Sequence, residues 1–355
     1  MQQRLMKKTA VYSFVFFLVS MGVVLAISAG RAREAKALRE RQEMERQKEA
    51  GDAASFARGG ELSFVQGQAD GVYLRIPLPD GCRAQDILIE NFYMDRQLRI
   101  FVPDADEAFY GQNRLSGNRG EVLGGNCGAA EGGVVLNLSL KGIYECRTIL
   151  EDGNLYIRFF APSEVYDKIV VIDPDCGGDD AGNEADGMAE KDINLQIAHK
   201  LAERLDQSGI KAYYTRMDDL NPLPQERAAL GNEIRADMYI CIQVGAKEDS
   251  SVYGVEAVYD GEHFNPGFGN KELASLLEEE VARAVNGRSI GVAQAGETEL
   301  EKAFCGVMIP AAAIRPGCIT NPQEALVLGR EEQTDKIAEG IYQAILEAYE
   351  TNTFR

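Results

Sequence analysis

The sequence predicts an α/β fold: a three-layer domain around a largely parallel sheet, preceded by a small β-sandwich and an N-terminal transmembrane helix. Three observations lead there. Residues 10–30 hold no charged side chain. Residues 61–163 hold short β-type segments between turn signals. From residue 167 to 352, strand-length apolar runs alternate with helix-length amphipathic ones, the pattern of helices packed on a parallel sheet.

The first element is "AVYSFVFFLVSMGVVLAISAG" (10–30), about the length a helix needs to cross a hydrocarbon layer of roughly 30 Å. A cleaved signal peptide would have a shorter uncharged run, and a charged stretch follows this one directly, which favours an uncleaved anchor with residues 1–9 as a cytoplasmic tail. Arg4, Lys7 and Lys8 precede the span, and Arg31, Arg33, Lys36, Arg39 and Arg41 follow it, so positive charge alone does not fix the orientation. Next, "RAREAKALRERQEMERQKEA" (31–50) is rich in helix formers, but only Leu38 and Met44 are large and apolar. That composition predicts a solvated helical stalk rather than a coiled-coil seam. "GDAASFARGG" (51–60) reads as a flexible joint, so 31–60 form stalk and linker.

Between 61 and 163 the segments "GVYLRIPLP", "DILIENFYMDRQLRIFVP", "GVVLNLSLKGIYECRTIL" and "GNLYIRFFAP" alternate or run apolar between Gly, Asp, Asn or Pro, which predicts strands of a small β-sandwich. The Gly-rich middle, "GQNRLSGNRGEVLGGNCGAAEGG", reads as a long exposed loop. The formal charge of −19 excludes nucleic acid as a partner, because phosphate backbones would be repelled. Seven cysteines show no CxxC spacing, which argues against a zinc ribbon. Their odd number leaves one thiol free unless it pairs between chains. A disulfide among Cys82, Cys127 and Cys146 stays open, with no pairing selected.

From 167 onward strands are expected at 168–173, 211–215, 237–244, 254–259 and 306–314, with helices near 191–208, 223–235, 270–286 and 331–350. Ile193, Ile197, Leu201 and Leu205 mark the buried stripe of the first helix. In such folds ligands gather at the carboxyl ends of strands, here "IDPDCGG", "CIQVGA" and "AIRPGCITNP".

These strand ends, in order, carry a family likeness. "IVVIDPDCGGDDAG" is similar to "IDPGHGGxDxG", and "EKDINLQIAHKLAERLDQSGIKAYYTRMDD" to "EKxxNLxIAxxLxxxLxxxGxxVxxTRxxD". "LPQERAALGNEIRADMYICIQVGA" is similar to "LxxRxxxANxxxADLFVSIHANA", "GVEAVY" to "GxExYY" and "PAAAIRPGCITNPQEALVL" to "PAVLVELGFISNxxEAxxL". Residues 168–350 thus resemble the zinc-dependent N-acetylmuramoyl-L-alanine amidases of bacterial cell walls. The resemblance implies a Zn²⁺ ion held by two histidines and a glutamate with an open position, and a second glutamate as general base on the bound water. It also places the domain outside the cytoplasmic membrane on its single-pass anchor. By its strand richness and its place in the chain, the 61–163 region resembles the AMIN-type β modules that accompany some of these enzymes.

Carried over residue by residue, the family's site is largely replaced. Cys176 stands at the first histidine position, Glu190 keeps the glutamate ligand, Gln243 takes the second histidine position, and Arg315 takes that of the catalytic glutamate. His199 and His263 lie elsewhere in the pattern. A neutral amide oxygen is a poor zinc ligand. At about 5 Å and an effective dielectric near 20, two unit charges interact by roughly 3 kcal/mol, so Arg315 opposes Zn²⁺ by about twice that. Arginine also stays protonated and is no base. Cys176 as a nucleophile would need a neighbouring base, and the matching histidine is missing. The residues therefore predict no bound cofactor, with zinc left to the relatives, and an ion pair of Glu190 with Arg315, Gln243 hydrogen-bonded nearby. The alternative is an Arg315 that extends into solvent. The expected function is a catalytically inactive homologue that binds peptidoglycan, a muropeptide or an envelope protein. The alternatives are an active amidase with an altered metal site, and a structural envelope partner that binds no glycan.

Overall fold

The computed structural model describes residues 60–66, 72–185, 187–263, 267–297, 300, 303–352 and 354. The expected span at 10–30 and the stalk after it lie outside these residues. Among the described residues no helix is long and apolar enough to cross a membrane.

The N-terminal unit is built from β1 (Gly60–Glu61), β2 (Phe64–Gln66), β3 (Leu74–Pro77), β4 (Leu88–Phe92), β5 (Gln97–Pro103), α1 (Glu107–Gln112), β6 (Leu115–Gly117), β7 (Val122–Ala130), β8 (Gly133–Leu140), β9 (Glu145–Glu151) and β10 (Asn154–Phe160). Two five-stranded sheets form, in the orders β1-β7-β8-β5-β4 and β2-β6-β3-β10-β9. Strict alternation sends Leu98, Ile100 and Val102 of β5, and Val134, Leu136 and Leu138 of β8, into one core with Leu74, Ile76 and Ile157 of the second sheet. The Gly-rich middle departs from the expected loop, because it contains the strand β6 and the nine-residue strand β7, which is paired with β8 along its length. A bulge falls between Val122 and Gly124. At Gly125 an added Cβ would stand 2.7 Å from the Asn137 carbonyl oxygen. Here glycine serves a bulge and a close strand approach, two uses that read like a turn in sequence. All seven cysteines are free thiols.

The short helix α2 (Pro162–Val165) leads into the second unit. This contains β11 (Ile169–Pro174), the small hairpin of β12 (Glu184–Ala185) and β13 (Met188–Ala189), α3 (Glu190–Leu205), β14 (Lys211–Tyr214), α4 (Pro224–Ile234), β15 (Met238–Ile242), β16 (Val255–Tyr259), α5 (Asn270–Val285), β17 (Ser289–Gln294), β18 (Ala311–Arg315), α6 (Pro322–Leu328) and α7 (Glu331–Thr351). The six-stranded sheet runs β14-β11-β15-β18-β16-β17. It is largely parallel, as expected: four of its five strand pairings are parallel and one, that of β16 with β18, is antiparallel. The expected strand over 306–314 begins only at Ala311.

Alternation along the strands makes three layers. Val170, Ile172, Ile240, Ile242, Ala312 and Ile314 pack with α3, α5 and α7 on one face. Ile169, Val171, Tyr239, Cys241, Ala311 and Ala313 pack with Ala228, Leu230 and Ile234 of α4 on the other. Burying each Leu or Ile side chain contributes about 1.5–3 kcal/mol. The stripes of three helices thus hold the sheet rigid up to the carboxyl ends of its strands.

Candidate functional site

The buried strand β11 ends at Asp173-Pro174, and Asp173 has no solvent exposure. An isolated carboxylate there would be costly. Three donors surround it: Arg227 Nη1 at 2.7 Å, Thr215 Oγ1 at 2.5 Å and Tyr239 Oη at 2.5 Å. Arg227, on α4, also donates to the Cys176 carbonyl at 3.3 Å and to Asn221 Oδ1 at 2.8 Å. Arg216, two residues past β14, donates to the carbonyls of Pro174 at 2.7 Å, Asp175 at 3.0 Å and Lys191 at 2.9 Å. Two buried guanidiniums and two hydroxyls thus hold the 173–176 loop by its own backbone and carboxylate. The forked geometry of arginine suits this use.

The held loop turns sharply. Cys176 has φ of 63°, a left-handed conformation unusual for a residue with a side chain. Glu190, the first residue of α3, is 4% exposed and accepts from the Asn183 amide at 3.0 Å and its Nδ2 at 2.7 Å. At Gly182 an added Cβ would stand 2.7 Å from Glu190 Oε2 and 2.8 Å from Cys176 Sγ, so only glycine lets these two groups approach. Burial pushes the Glu190 carboxyl above its ordinary range, and the Asn183 bonds partly offset this. Burial, then the charges of Asp175, Glu190 and Asp180, push the Cys176 thiol far up. That thiol is therefore protonated and a poor nucleophile.

Across the loop Asp175 accepts from Gln243 Nε2 at 2.7 Å. Its carboxyl is raised by burial and by the nearby Asp173. Gln243 follows β15, and its Oε1 accepts from Arg315 Nε at 3.3 Å and Nη2 at 3.2 Å. Arg315 Nη1 pairs with Glu256 Oε2 at 3.1 Å, and Lys247 Nζ donates to both Glu256 oxygens at 2.8 and 3.0 Å. One hydrogen-bonded chain, Asp175–Gln243–Arg315–Glu256–Lys247, therefore runs across the ends of four strands.

The expected ion pair of Glu190 with Arg315 does not form. Arg315 lies directly opposite Glu256 in the β16–β18 register, so its carboxylate partner is a cross-strand neighbour, while Glu190 is already satisfied by Asn183. Gln243 does lie beside Arg315, as its bridge to Asp175. The alternative in which Arg315 reaches into solvent is also excluded, since its side chain is 16% exposed. His199 is exposed on α3, and His263 Nε2 lies 3.3 Å from the Met308 carbonyl oxygen. Sequence reasoning missed Asp175, Glu256, Lys247 and the braces Arg216 and Arg227. A signal existed for Asp175, which stands where the pattern "IDPGHGG" has its first glycine. Arg227 pairs with Asp173 across 54 residues of sequence, and no local pattern announces such a contact.

A model of the N-acetylmuramoyl-L-alanine amidase family matches residues 170–347. The germination-specific N-acetylmuramoyl-L-alanine amidase of Bacillus subtilis (strain 168) is 27% identical over 199 residues, covering 50% of this chain and 78% of its own. The N-acetylmuramoyl-L-alanine amidase LytC of the same organism is 28% identical over 185 residues, which is 52% of this chain and 36% of its own. An N-acetylmuramoyl-L-alanine amidase structure from Clostridium difficile 630 is 32% identical, covers 52% of this chain and 98% of that chain, and has a TM-score of 0.48.

The zinc ion expected of this family can be weighed against the side chains present. Asp175, Cys176 and Glu190 bring donor atoms within 4.8 Å of one another, close enough to share a cation. The remainder of the set does not fit a catalytic zinc centre. Gln243 turns its N–H into the cluster and gives its oxygen to a guanidinium. Arg315 brings positive charge where a base is required.

Proposed function

The chain belongs to the N-acetylmuramoyl-L-alanine amidase family, and on that premise we propose that it is a non-hydrolysing member. In this reading it is anchored in the bacterial cytoplasmic membrane by residues 10–30, with its folded units outside. There it binds peptidoglycan, as a muropeptide segment, or an envelope protein. The 61–163 region would serve as an AMIN-like sandwich that helps to place it.

The observation that supports the reading is the hydrogen-bonded chain through Gln243 and Arg315. Amide hydrolysis in this family's manner needs a Lewis acid and a base poised near neutrality. This face offers a guanidinium, an amide, a protonated thiol and a carboxylate neutralised by two cations. The braced strand-end loop is kept while the means of activating water are not.

A second reading, an active hydrolase with an altered metal site, has one observation in its favour: the close donors of Asp175, Cys176 and Glu190. The third, an envelope partner that binds no glycan, is separated by a pull-down of the full chain on purified peptidoglycan. Retention of the chain in the insoluble fraction, without loss of wall material, is the outcome that the glycan-binding form of the first reading requires. Failure to sediment would leave the protein-partner reading alone.

A further inference from the structure

We infer that the N-terminal β unit is a positioning partner of the strand-end site, because it grips the two elements that carry the braces of the 173–176 loop. Those elements are β14, which leads directly into Thr215 and Arg216, and α4, which carries Arg227.

β14 is the edge of the six-stranded sheet, where a strand ordinarily leaves main-chain groups without partners. Tyr93 of the β unit supplies them. Its hydroxyl accepts from the Tyr214 amide at 3.0 Å and donates to the Tyr214 carbonyl at 2.9 Å. One phenol thus does the work of a neighbouring strand. Around it the Tyr93 and Tyr213 rings meet edge to face at 5.1 Å. Tyr213 Oη donates to Glu145 at 2.5 Å, and Lys211 Nζ lies 3.2 Å from the same carboxylate. Every residue of β14 except Ala212 is therefore tied to the β unit by its side chain or backbone.

α4 is held at its carboxyl end. Glu233 accepts from the Ile143 amide at 2.7 Å and pairs with Arg96 at 2.7 Å. Beside this contact Ile143 is 7% exposed and packs in the same cluster as Ile169, Val171, Ala228 and Ile234. At Gly142 an added Cβ would stand 2.7 Å from Glu233 Oε1, so the loop seats closely on the helix.

The two grips converge on the loop. From Tyr214 the chain passes to Thr215, bonded to Asp173, and to Arg216, bonded to the carbonyls of Pro174 and Asp175. From Glu233 the same helix leads back to Arg227, bonded to Asp173 and the Cys176 carbonyl. By contrast, Cys318, which follows β18 on the opposite side of the site, is held by Glu324 and has none of these connections. The inference stands whether or not the site hydrolyses anything.

The test uses the thiols as reporters in the full-length chain. Cys176 is 8% exposed and Cys318 2% exposed, so each is alkylated only when its surroundings open. Tyr93→Phe removes one hydroxyl and two hydrogen bonds. It should raise the peptide-resolved alkylation rate of Cys176 by iodoacetamide about tenfold, with less than a twofold change at Cys318. Glu233→Gln, which breaks the charge on α4 and leaves β14 untouched, should shift Cys176 in the same direction. Both are read where circular dichroism matches the parent. An unchanged Cys176 rate in both variants, or equal acceleration of Cys176 and Cys318, would overturn the inference.

Discussion

The underside of the strand-end loop and its open face have diverged in opposite ways. Beneath the loop, Asp173, Thr215, Arg216, Arg227 and Tyr239 satisfy one another almost completely. Asp173, Thr215, Arg216 and Arg227 do so at positions that agree with the family's "IDP", "TR" and the arginine of "LxxR", while Tyr239 stands where the pattern has phenylalanine. On the face, Asp175, Cys176, Gln243 and Arg315 occupy positions where the family has a glycine, two histidines and a glutamate. The difference teaches that the brace and the chemistry are separable. The brace depends on a buried charge that must be answered wherever the loop is to keep its shape. The face carries no such demand, because its replacement residues found partners among themselves.

That separation can be broken most forcefully from below. Arg227→Ala would leave the Asp173 carboxylate buried without its cation, and breaking a buried pair from one side costs about 3–5 kcal/mol. A drop of that size in the unfolding free energy from denaturant titration is expected, with alkylation of Cys176 greatly accelerated. A loss below about 1 kcal/mol would show that the underside is no more demanding than the face.

A smaller effect tests the face. Glu190 has a folded-state pKa above the ordinary 4.5 because of its burial. Its contribution to stability is therefore full below that value and is lost as pH rises through the folded pKa. Glu190→Gln keeps an oxygen for the Asn183 donors and removes the buried charge. The variant should be more stable than the parent at neutral pH by about 1 kcal/mol, and the gap should close as pH falls below about 4.5. Thermal melts across pH 4–8 measure it. A variant less stable at pH 7 would mean that the carboxylate, not the neutral acid, is what the fold uses there, as it would be with a cation beside it.

The alternation of strands and helices after residue 167 was legible because each helix shows a stripe, such as Ile193, Ile197, Leu201 and Leu205, and each central strand is a continuous apolar run. Replacement of the site residues was legible too, since Cys176, Gln243 and Arg315 stand at fixed places in recognisable patterns. The partner of Arg315 was not. It follows from register, which set Glu256 opposite it, and register between distant strands leaves no local trace. The strand β7 was hidden by glycines whose task is close approach, and β17 by its exposure. The grip of Tyr93 on Tyr214 spans 121 residues and is a property of the assembled chain alone.

The central claim is that a guanidinium-centred hydrogen-bond chain has taken the place of a water-activating metal. Its most direct test is one preparation of the unmodified full-length protein, assayed for bound zinc and for release of L-alanine-linked stems from purified cell wall. The account predicts substoichiometric metal and no release. Stoichiometric zinc together with cleavage would contradict it.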